Sequence, residues 1–388
     1  MINLQSDDSF SPPRESYLQL FLRFLRFGFL AWGGPAAQIA MLRQELVEEE
    51  HWISRERFNR VLAIYQALPG PEAHELCVYF GMISRGRIGA ILAGLGFMLP
   101  GFVLMFLLSW FYVTYGINSP FFAGVFYGFQ AAVAALIVRA VHRIGGHALT
   151  DRWLWAIAIF SGVAQLLGVN FFLTLLVSGI FYALIKRQLP SMSTHMMVLW
   201  PLVFIPVVVS IAAPTVFNLF IYGLRSGLLT FGGAYTAIPF LQHDAVITGQ
   251  WMTNQQFMDG LALSSILPAP LIIFSTFVGY VGGGPFGALA LTAGIFLPAF
   301  AFTLIGHNYF EKLIENRSAH AFLDGITAGV VGLIAATTIG LFRAAIIDLP
   351  ALGIFIGALI LLYQWKAKVA VAGIVLGAGI IGLLIHLL

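Results

Sequence analysis

Two carboxylates and a histidine directly follow a helix break inside an apolar stretch long enough to cross a bilayer. The break is Pro69-Gly70-Pro71, and Glu72, His74 and Glu75 come next. Each proline removes a backbone donor and clashes with the preceding turn, so the helix is interrupted here. Titratable groups at membrane depth are costly and usually functional, which makes these three side chains candidates for proton coupling or gating. The alternative is that Glu72 only caps the resumed helix, where a carboxylate is favourable.

A second break of the same kind, Pro268-Ala269-Pro270, lies 199 residues further along the chain. Interrupted helices at matching places in two halves indicate the substrate site of a secondary transporter. The second half has Leu271, Ile273 and Phe274 where the first half has its titratable groups. The acidic residues are therefore not a shared requirement of both halves.

Each half also carries a glycine pair that follows an arginine. Arg26 precedes Gly33-Gly34, and Arg225 precedes Gly232-Gly233, again at a separation of 199 residues. Glycine pairs let the backbone leave the helix, the resumed helix offers free N–H groups, and a guanidinium fork fits an oxyanion. The alternative is close helix packing with snorkelling arginines, but repetition in both halves favours an anion site.

The composition sets the class of protein. Of 388 residues, 59% are hydrophobic and 10% are charged, and the mean hydropathy is +0.90. Soluble domains average about 25% charged residues, so this is a polytopic, all-α membrane protein. The net charge of +3 indicates loop bias rather than nucleic-acid binding. A single cysteine, Cys77, excludes an intrachain disulfide.

The elements that position these motifs form two homologous halves. Trp52 matches Trp251, Gly89-Ala90 matches Gly287-Ala288, and Gly128 matches Gly325, so the spacing drifts only from 199 to 197 residues. Ser54 and Thr253 occupy matching helix N-cap positions, and Thr253 with Gln256 forms a capping box. The predicted domains are a cytoplasmic N-terminal region (1–16), a first repeat of six apolar segments (17–187), a linker with an unpaired apolar segment at 196–213 (188–214), and a second six-segment repeat (215–388).

The unpaired segment predicts that the second repeat is inserted upside down relative to the first. If every segment crosses, thirteen segments result, and most basic residues fall on the side of the N-terminus, as expected for the cytoplasm. Arg43, Arg55, Arg57 and Arg60 are the main exceptions, and the balance changes if the Gly-Gly segments are re-entrant.

These motifs, in this order and in both halves, resemble the chromate ion transporter family in its long, two-domain form. The resemblance covers nearly the whole chain, although the family commonly has histidine at the position of Gln38 and Ala234 replaces a proline. It implies export of chromate, with sulfate as the look-alike dianion, chromate resistance, and a multi-pass protein of the inner (plasma) membrane. The predicted substrate-binding residues are Arg26, Gly33, Gly34, Pro35, Gln38, Pro69, Gly70, Pro71, Arg225, Gly232, Gly233, Tyr235, Pro268 and Pro270.

Other functions stay open at this point. Export could be driven by membrane potential or by a proton gradient, and a sulfate importer that works by proton symport is the main alternative. A membrane-embedded enzyme using His74 and Glu75 is a remote one, because no nucleophile, metal or nucleotide motif accompanies these residues. The sequence predicts no cofactor and no nucleic-acid partner, and a homodimer is left open.

Overall fold

The structure is a computed structural model that describes residues 12–13, 15–116, 120–186, 215–315 and 317–387. Every regular element in these ranges is helical, which confirms the all-α prediction. The unpaired segment 196–213 and most of the N-terminal region lie outside the described residues. The first repeat contains α1 (Tyr17–Phe29), α2 (Gly34–Leu42), α3 (Arg55–Ala67), α4 (Glu72–Phe111), α5 (Pro120–Ala148), α6 (Arg152–Leu166) and α7 (Phe171–Ile185).

The second repeat follows the same plan. It contains α8 (Val216–Leu228), α9 (Ile238–Gln242), α10 (Asn254–Ser265), α11 (Ser275–Glu315), α12 (Arg317–Ala345), α13 (Leu349–Gln364) and α14 (Ala370–Leu387). The helix α12 begins and ends 197 residues after α5, so the sequence repeat is also a structural repeat. Ser54 and Thr253 cap α3 and α10 as predicted, and the capping box at Thr253 is present.

The Gly-Gly segments turn back inside the protein instead of crossing it. Arg23 in α1 is hydrogen-bonded to Glu50, 2.6 Å away, and also pairs with Glu45, although both carboxylates come after the Gly-Gly bend. The chain therefore descends through α1, reverses at Gly33-Gly34, and returns through α2 and the π-helix Arg43–Glu49. In the second repeat, Arg225 and Asp244 pair across the corresponding bend.

The proline breaks are the tips of a second pair of re-entrant hairpins. Arg57 at the start of α3 donates to Tyr79 in α4 at 2.9 Å, so α3 and the first arm of α4 run antiparallel around Pro69-Gly70-Pro71. A further reversal within α4 at Arg85 and Gly86 separates arms 72–84 and 87–111. The second arm starts at the face that the chain has just reached and is long enough, at about 37 Å, to cross a bilayer.

Among the residues that the structure describes, five helices are long and apolar enough to cross a membrane. Two of the five, 72–115 and 271–305, contain a reversal, at Gly86 and Gly284, so only one arm of each crosses. The prediction of thirteen crossing segments is therefore wrong for the segments that hold the Gly-Gly and proline breaks. The physical reason is that hydrogen bonds and ion pairs join the two arms of these hairpins at the same face of the protein.

This correction improves the charge balance. Glu15 accepts a hydrogen bond from Arg85 through its backbone carbonyl and pairs with Arg23, so residues 15, 43–60 and 85 share one face, here called the Arg85 face. The four arginines of segment 43–60 lie on the same side as Glu15, and the positive-inside rule predicts that this face is cytoplasmic. Arg343, at the end of α12, lies at the opposite face.

Contacts between α5 and α12 indicate that the two repeats are inverted. A Cβ built on Gly145 would lie 3.7 Å from Val331. Val331 corresponds to Ala134, which is eleven residues and about 16 Å before Gly145 along the helix. A two-fold axis along the membrane normal would keep Ala134 and Val331 at one depth and would separate Val331 from Gly145. The contact therefore requires a pseudo-two-fold axis in the membrane plane.

The repeats exchange their long helices. The helix α5 packs on α13 and α14 of the second repeat, and α12 packs on α6 and α7 of the first. Gly128 lies directly against Ala378, and its counterpart Gly325 lies against Ser178. Neither repeat can bury its own long helix, so we expect the two repeats to fold as one unit.

The hairpin of α6 and α7 is closed at the Arg85 face by Asp151. Burial opposes ionisation of this carboxyl group, but hydrogen bonds from the Leu154 N–H, Lys186 and Tyr182 lower its pKa to about 2. The Lys186 ammonium lies 3.0 Å from the carboxylate. Both ends of this hairpin are thereby held at one face.

Labelling can test the inverted, re-entrant topology at a matched pair of positions. Glu49 and Thr248 are exposed and end the corresponding π-helices of the two repeats. With the buried Cys77 replaced by alanine, Glu49→Cys should react with a membrane-impermeant thiol reagent only from the cytoplasm. Thr248→Cys should react only from the outside. Labelling of both from one side would contradict the inversion.

Candidate anion site between the two repeats

The Gly-Gly bends expose backbone at the tips of the first pair of hairpins. Gly33 and Gly34 have φ of 87° and 77°, and Gly232 and Gly233 have φ of 80° and 107°, which favour glycine. A Cβ on Gly34 or Gly233 would meet nothing within 4 Å, so open space adjoins both bends. No side chain caps α2, which begins at Gly34 with Pro35 in its first turn. Its first N–H groups therefore face this space without a side-chain acceptor.

A backbone hydrogen bond joins the proline break of one repeat to the Gly-Gly bend of the other. The Gly70 N–H donates to the Thr230 carbonyl at 2.8 Å. The proline break of the second repeat lies close by, because the 3-10 turns Ala234–Ala237 and Leu271–Phe274, which follow Gly233 and Pro270, are in contact. It also touches the first repeat, since a Cβ on Gly101 in α4 would be 2.4 Å from the Ala269 Cβ. The predicted motifs of both repeats thus meet at the interface between them. The sequence motifs placed here are Pro69, Gly70, Pro71, Gly232, Gly233, Tyr235, Pro268 and Pro270.

Both arginines that were predicted to bind the anion form an ion pair with a carboxylate. Arg26 pairs with Glu45, and Arg225 pairs with Asp244, which is the corresponding residue of the second repeat. The pair of Arg225 is buried, with side chains 8% and 1% exposed, and its guanidinium group also packs on Phe171 and Tyr222. In this conformation the two arginines join the arms of the hairpins, and contact with an anion would require the ion pairs to open.

Gln38 is a buried residue that stabilises the backbone before the Gly33-Gly34 bend. Its side chain is 1% exposed, and its amide donates to the Ala31 carbonyl at 2.9 Å. The amide oxygen has no hydrogen-bond partner among the described residues. Gln38 therefore holds the backbone that leads into Gly33, and its contact with an anion stays a prediction.

The three titratable groups after the first break have different surroundings. Glu72 is half-buried and lies within electrostatic range of Arg143 in α5. The His74 ring is fully buried beside Phe296 and Phe300, with ring centroids 4.9 and 4.8 Å away. Glu75 is also fully buried, and its carboxyl group lies over Gly70. Of the three, only Glu72 is partly exposed.

Comparison with known proteins decides the family. The family model for chromate transporters matches residues 18–184 and again residues 217–383. The chain belongs to the chromate transporter family. The double match supports the predicted duplication.

Several curated relatives cover nearly the whole chain. It is 55% identical to a chromate transport protein of Pseudomonas aeruginosa over 96% of its own length and 94% of that protein. It is 31% identical to a chromate transport protein of Cupriavidus metallidurans with the same coverage. A probable chromate transport protein of Synechococcus elongatus is 30% identical over 91% of each chain. No solved structure matches.

Two polar groupings of this chromate transporter family member were missed by the sequence analysis. The Asp259 carboxylate accepts hydrogen bonds from Tyr112 at 2.7 Å and Gln130 at 2.8 Å, so one repeat binds the other through a buried acid. Arg139 and Arg143 lie within electrostatic range of Tyr235. Nothing along the chain connects Asp259 with two helices that precede it by more than a hundred residues.

The described residues contain no group of three or more His, Cys, Asp or Glu side chains that could hold a metal ion. The candidate site is instead built from open backbone, arginines and one half-buried carboxylate. Backbone N–H groups and guanidinium groups are the donors that a tetrahedral oxyanion requires.

Proposed function

We propose that this protein exports chromate from the cytoplasm across the inner (plasma) membrane and thereby confers chromate resistance. The observation that carries the proposal is the Gly70–Thr230 hydrogen bond, which brings helix breaks of two inverted repeats to one interface. Membership of the chromate transporter family and the names of its relatives support chromate as the substrate. The same observations support a role in transport rather than catalysis.

The charge of the substrate favours export. Moving a dianion outward across a membrane that is negative inside releases about 2.3 kcal/mol per charge per 100 mV, or about 4.6 kcal/mol in total. Membrane potential can therefore drive export without a coupled cation. Uptake of sulfate, the runner-up function, would need coupled protons to overcome the same term.

The described geometry supports different roles for different groups of the predicted residues. The open backbone at Gly33, Gly34, Gly232 and Gly233 supplies N–H donors, and the proline breaks let the surrounding half-helices move. The Arg26 and Arg225 pairs hold the hairpins in the conformation described. Whether Pro35, Gln38, Pro268 and Pro270 touch the anion stays a prediction, as does a homodimer.

Transport by the purified protein in liposomes tests the proposal. Radiolabelled chromate should move toward the positive compartment when a potential is imposed, and unlabelled sulfate should compete. Liposomes without protein are the control. Movement of sulfate alone, driven by protons against the potential, would favour the importer, and absence of protein-dependent flux of either anion would overturn both functions.

Glu75 has the surroundings expected of a proton-binding group. Its side chain is fully buried, and neither carboxyl oxygen has a hydrogen-bond partner among the described residues. An unpaired, ionised carboxylate in apolar surroundings costs several kcal/mol, so Glu75 should be neutral in this conformation. Opening the break at Gly70 would hydrate it and release the proton.

Two tyrosines, Tyr65 on α3 and Tyr79 on the arm of α4 that carries Glu75, lie close together. Arg57 is exposed and donates to Tyr79, whose ring centroid lies 6.3 Å from that of Tyr65. Tyr65 shares a 3.0 Å hydrogen bond with Thr303 of the other repeat and lies within electrostatic range of Glu75. Glu72, on the same helix as Glu75, is the other acidic group close enough to influence it. We propose that protons reach Glu75 by this route.

Replacing Glu75 with glutamine should remove any dependence of chromate flux on a pH gradient, because glutamine keeps the shape but cannot release a proton. Flux driven by membrane potential should persist. The measurement is the initial rate in liposomes at a fixed potential, with and without a pH gradient of one unit. Glu56→Gln, an exposed carboxylate at the start of α3, is the control and should keep the pH response of wild type. A pH response identical to wild type in Glu75→Gln would remove Glu75 from the coupling mechanism.

A further inference from the structure

Two arginines on α5 lie beside the open backbone of the second Gly-Gly bend. Arg139 and Arg143 are one helical turn apart and therefore share a face of α5. Both are within electrostatic range of Tyr235, which follows Gly233 by two residues. Ile144, adjacent to Arg143, would lie 3.9 Å from a Cβ placed on Gly232. The bend and the two guanidinium groups thus occupy one region.

Neither guanidinium group is taken by a carboxylate. Among the described residues, Arg23, Arg26, Arg43, Arg55 and Arg225 all form ion pairs, whereas Arg139 and Arg143 form none. Glu72, at the proline break, lies within electrostatic range of Arg143. A single carboxylate cannot compensate the positive charge of both guanidinium groups.

The position of Arg139 is not explained by the fold. Arg139 lies nine residues before the end of α5 at Ala148, about 13 Å along the helix and within the depth of the membrane. A half-buried charge at this depth is costly and usually marks an ion pathway. The corresponding positions of α12 hold Ala336 and Gly340, so the other repeat packs the same helix without arginines.

We propose that Arg139 and Arg143, together with the backbone at Gly233 and the Tyr235 side chain, bind the tetrahedral dianion. Two guanidinium groups match its two charges, and each can donate a pair of hydrogen bonds to oxygen atoms of the anion. Glu72 acts as the resident counter-charge that the anion displaces. The inference rests on the proposed function, because it assigns the substrate site of the same transport activity. It differs from the sequence prediction in assigning contact with the anion to α5 rather than to Arg26 and Arg225.

The test measures chromate binding and flux for Arg139→Gln, Arg143→Gln and the double variant. Charge-assisted hydrogen bonds are strong enough that each single change should weaken chromate binding by about ten- to a hundredfold. The readouts are Kd from equilibrium dialysis of radiolabelled chromate and KM and kcat from initial rates in liposomes. We expect KM to rise far more than kcat falls. Arg87→Gln, an exposed arginine of the Arg85 face, is the matched control and should bind like wild type.

Lysine variants separate a binding role from a role in folding. Arg139→Lys and Arg143→Lys keep the charge and should bind chromate more tightly than the glutamine variants but less tightly than wild type. Unchanged Kd and KM in folded glutamine variants of a protein that transports chromate would overturn this inference alone. A wild-type protein that neither binds nor transports chromate or sulfate would overturn both this inference and the proposed function.

Discussion

Arg225→Gln should leave little folded protein, whereas Arg26→Gln should remain close to wild type in stability. Asp244, the partner of Arg225, is 1% exposed, and removing the arginine leaves this carboxylate buried without a counter-charge. Breaking a buried pair in this way costs about 3–5 kcal/mol. Arg26 is 53% exposed and pairs with a carboxylate that is 23% exposed, so its loss should cost about 0–1 kcal/mol.

The measurement is the yield of monodisperse protein and its thermal unfolding temperature in detergent. The double variant Arg225→Met with Asp244→Leu is the control, because replacing both charges by apolar side chains should recover much of the lost stability. Equal stability of Arg225→Gln and wild type would show that the ion pair opens readily. It would then restore Arg225 as a candidate for direct contact with the anion.

Gly128→Ala should also remove most of the folded protein. A Cβ at this position would lie 1.9 Å from the Ala378 carbonyl oxygen, so α5 and α14 would have to separate. This contact is one of the two places where the repeats exchange their long helices, and overpacking of this kind costs about 1–3 kcal/mol or more.

Gly146→Ala is the matched control on the same helix. A Cβ there meets nothing within 4 Å, and alanine favours the helix, so folding should be retained or slightly improved. The readout is again the folded yield and the thermal unfolding temperature. Similar behaviour of both variants would contradict the close packing of α5 on the second repeat.

The sequence alone predicted the features that repeat along the chain. Spacing gave the two halves, the caps at Ser54 and Thr253, and the breaks at Gly33-Gly34 and Pro69-Gly70-Pro71, because each of these depends on local residue types. The direction of the chain after a break was not predictable. A re-entrant arm and a crossing arm are equally apolar, and contacts between the arms, such as the pairing of Arg23 with Glu50, distinguish them.

The candidate site was predictable in part for the same reason. The glycine and proline motifs are local signals, but the role of an arginine depends on which carboxylate lies opposite. Each of Arg26 and Arg225 is followed nineteen residues later by an acidic residue, Glu45 or Asp244. This repetition in both halves was the available clue to the ion pairs. Arg139 was not among the predicted site residues, because nothing in the sequence places α5 beside a bend of the second repeat.

The central claim is that chromate binds between the inverted repeats at their helix breaks. A cryo-electron microscopy map of the purified protein with saturating chromate tests this most directly. The account predicts density for a tetrahedral anion within hydrogen-bonding distance of the Gly233 to Tyr235 backbone and of Arg139 or Arg143. Density elsewhere in a protein that transports chromate, such as between opened Arg26 and Glu45 side chains, would contradict it.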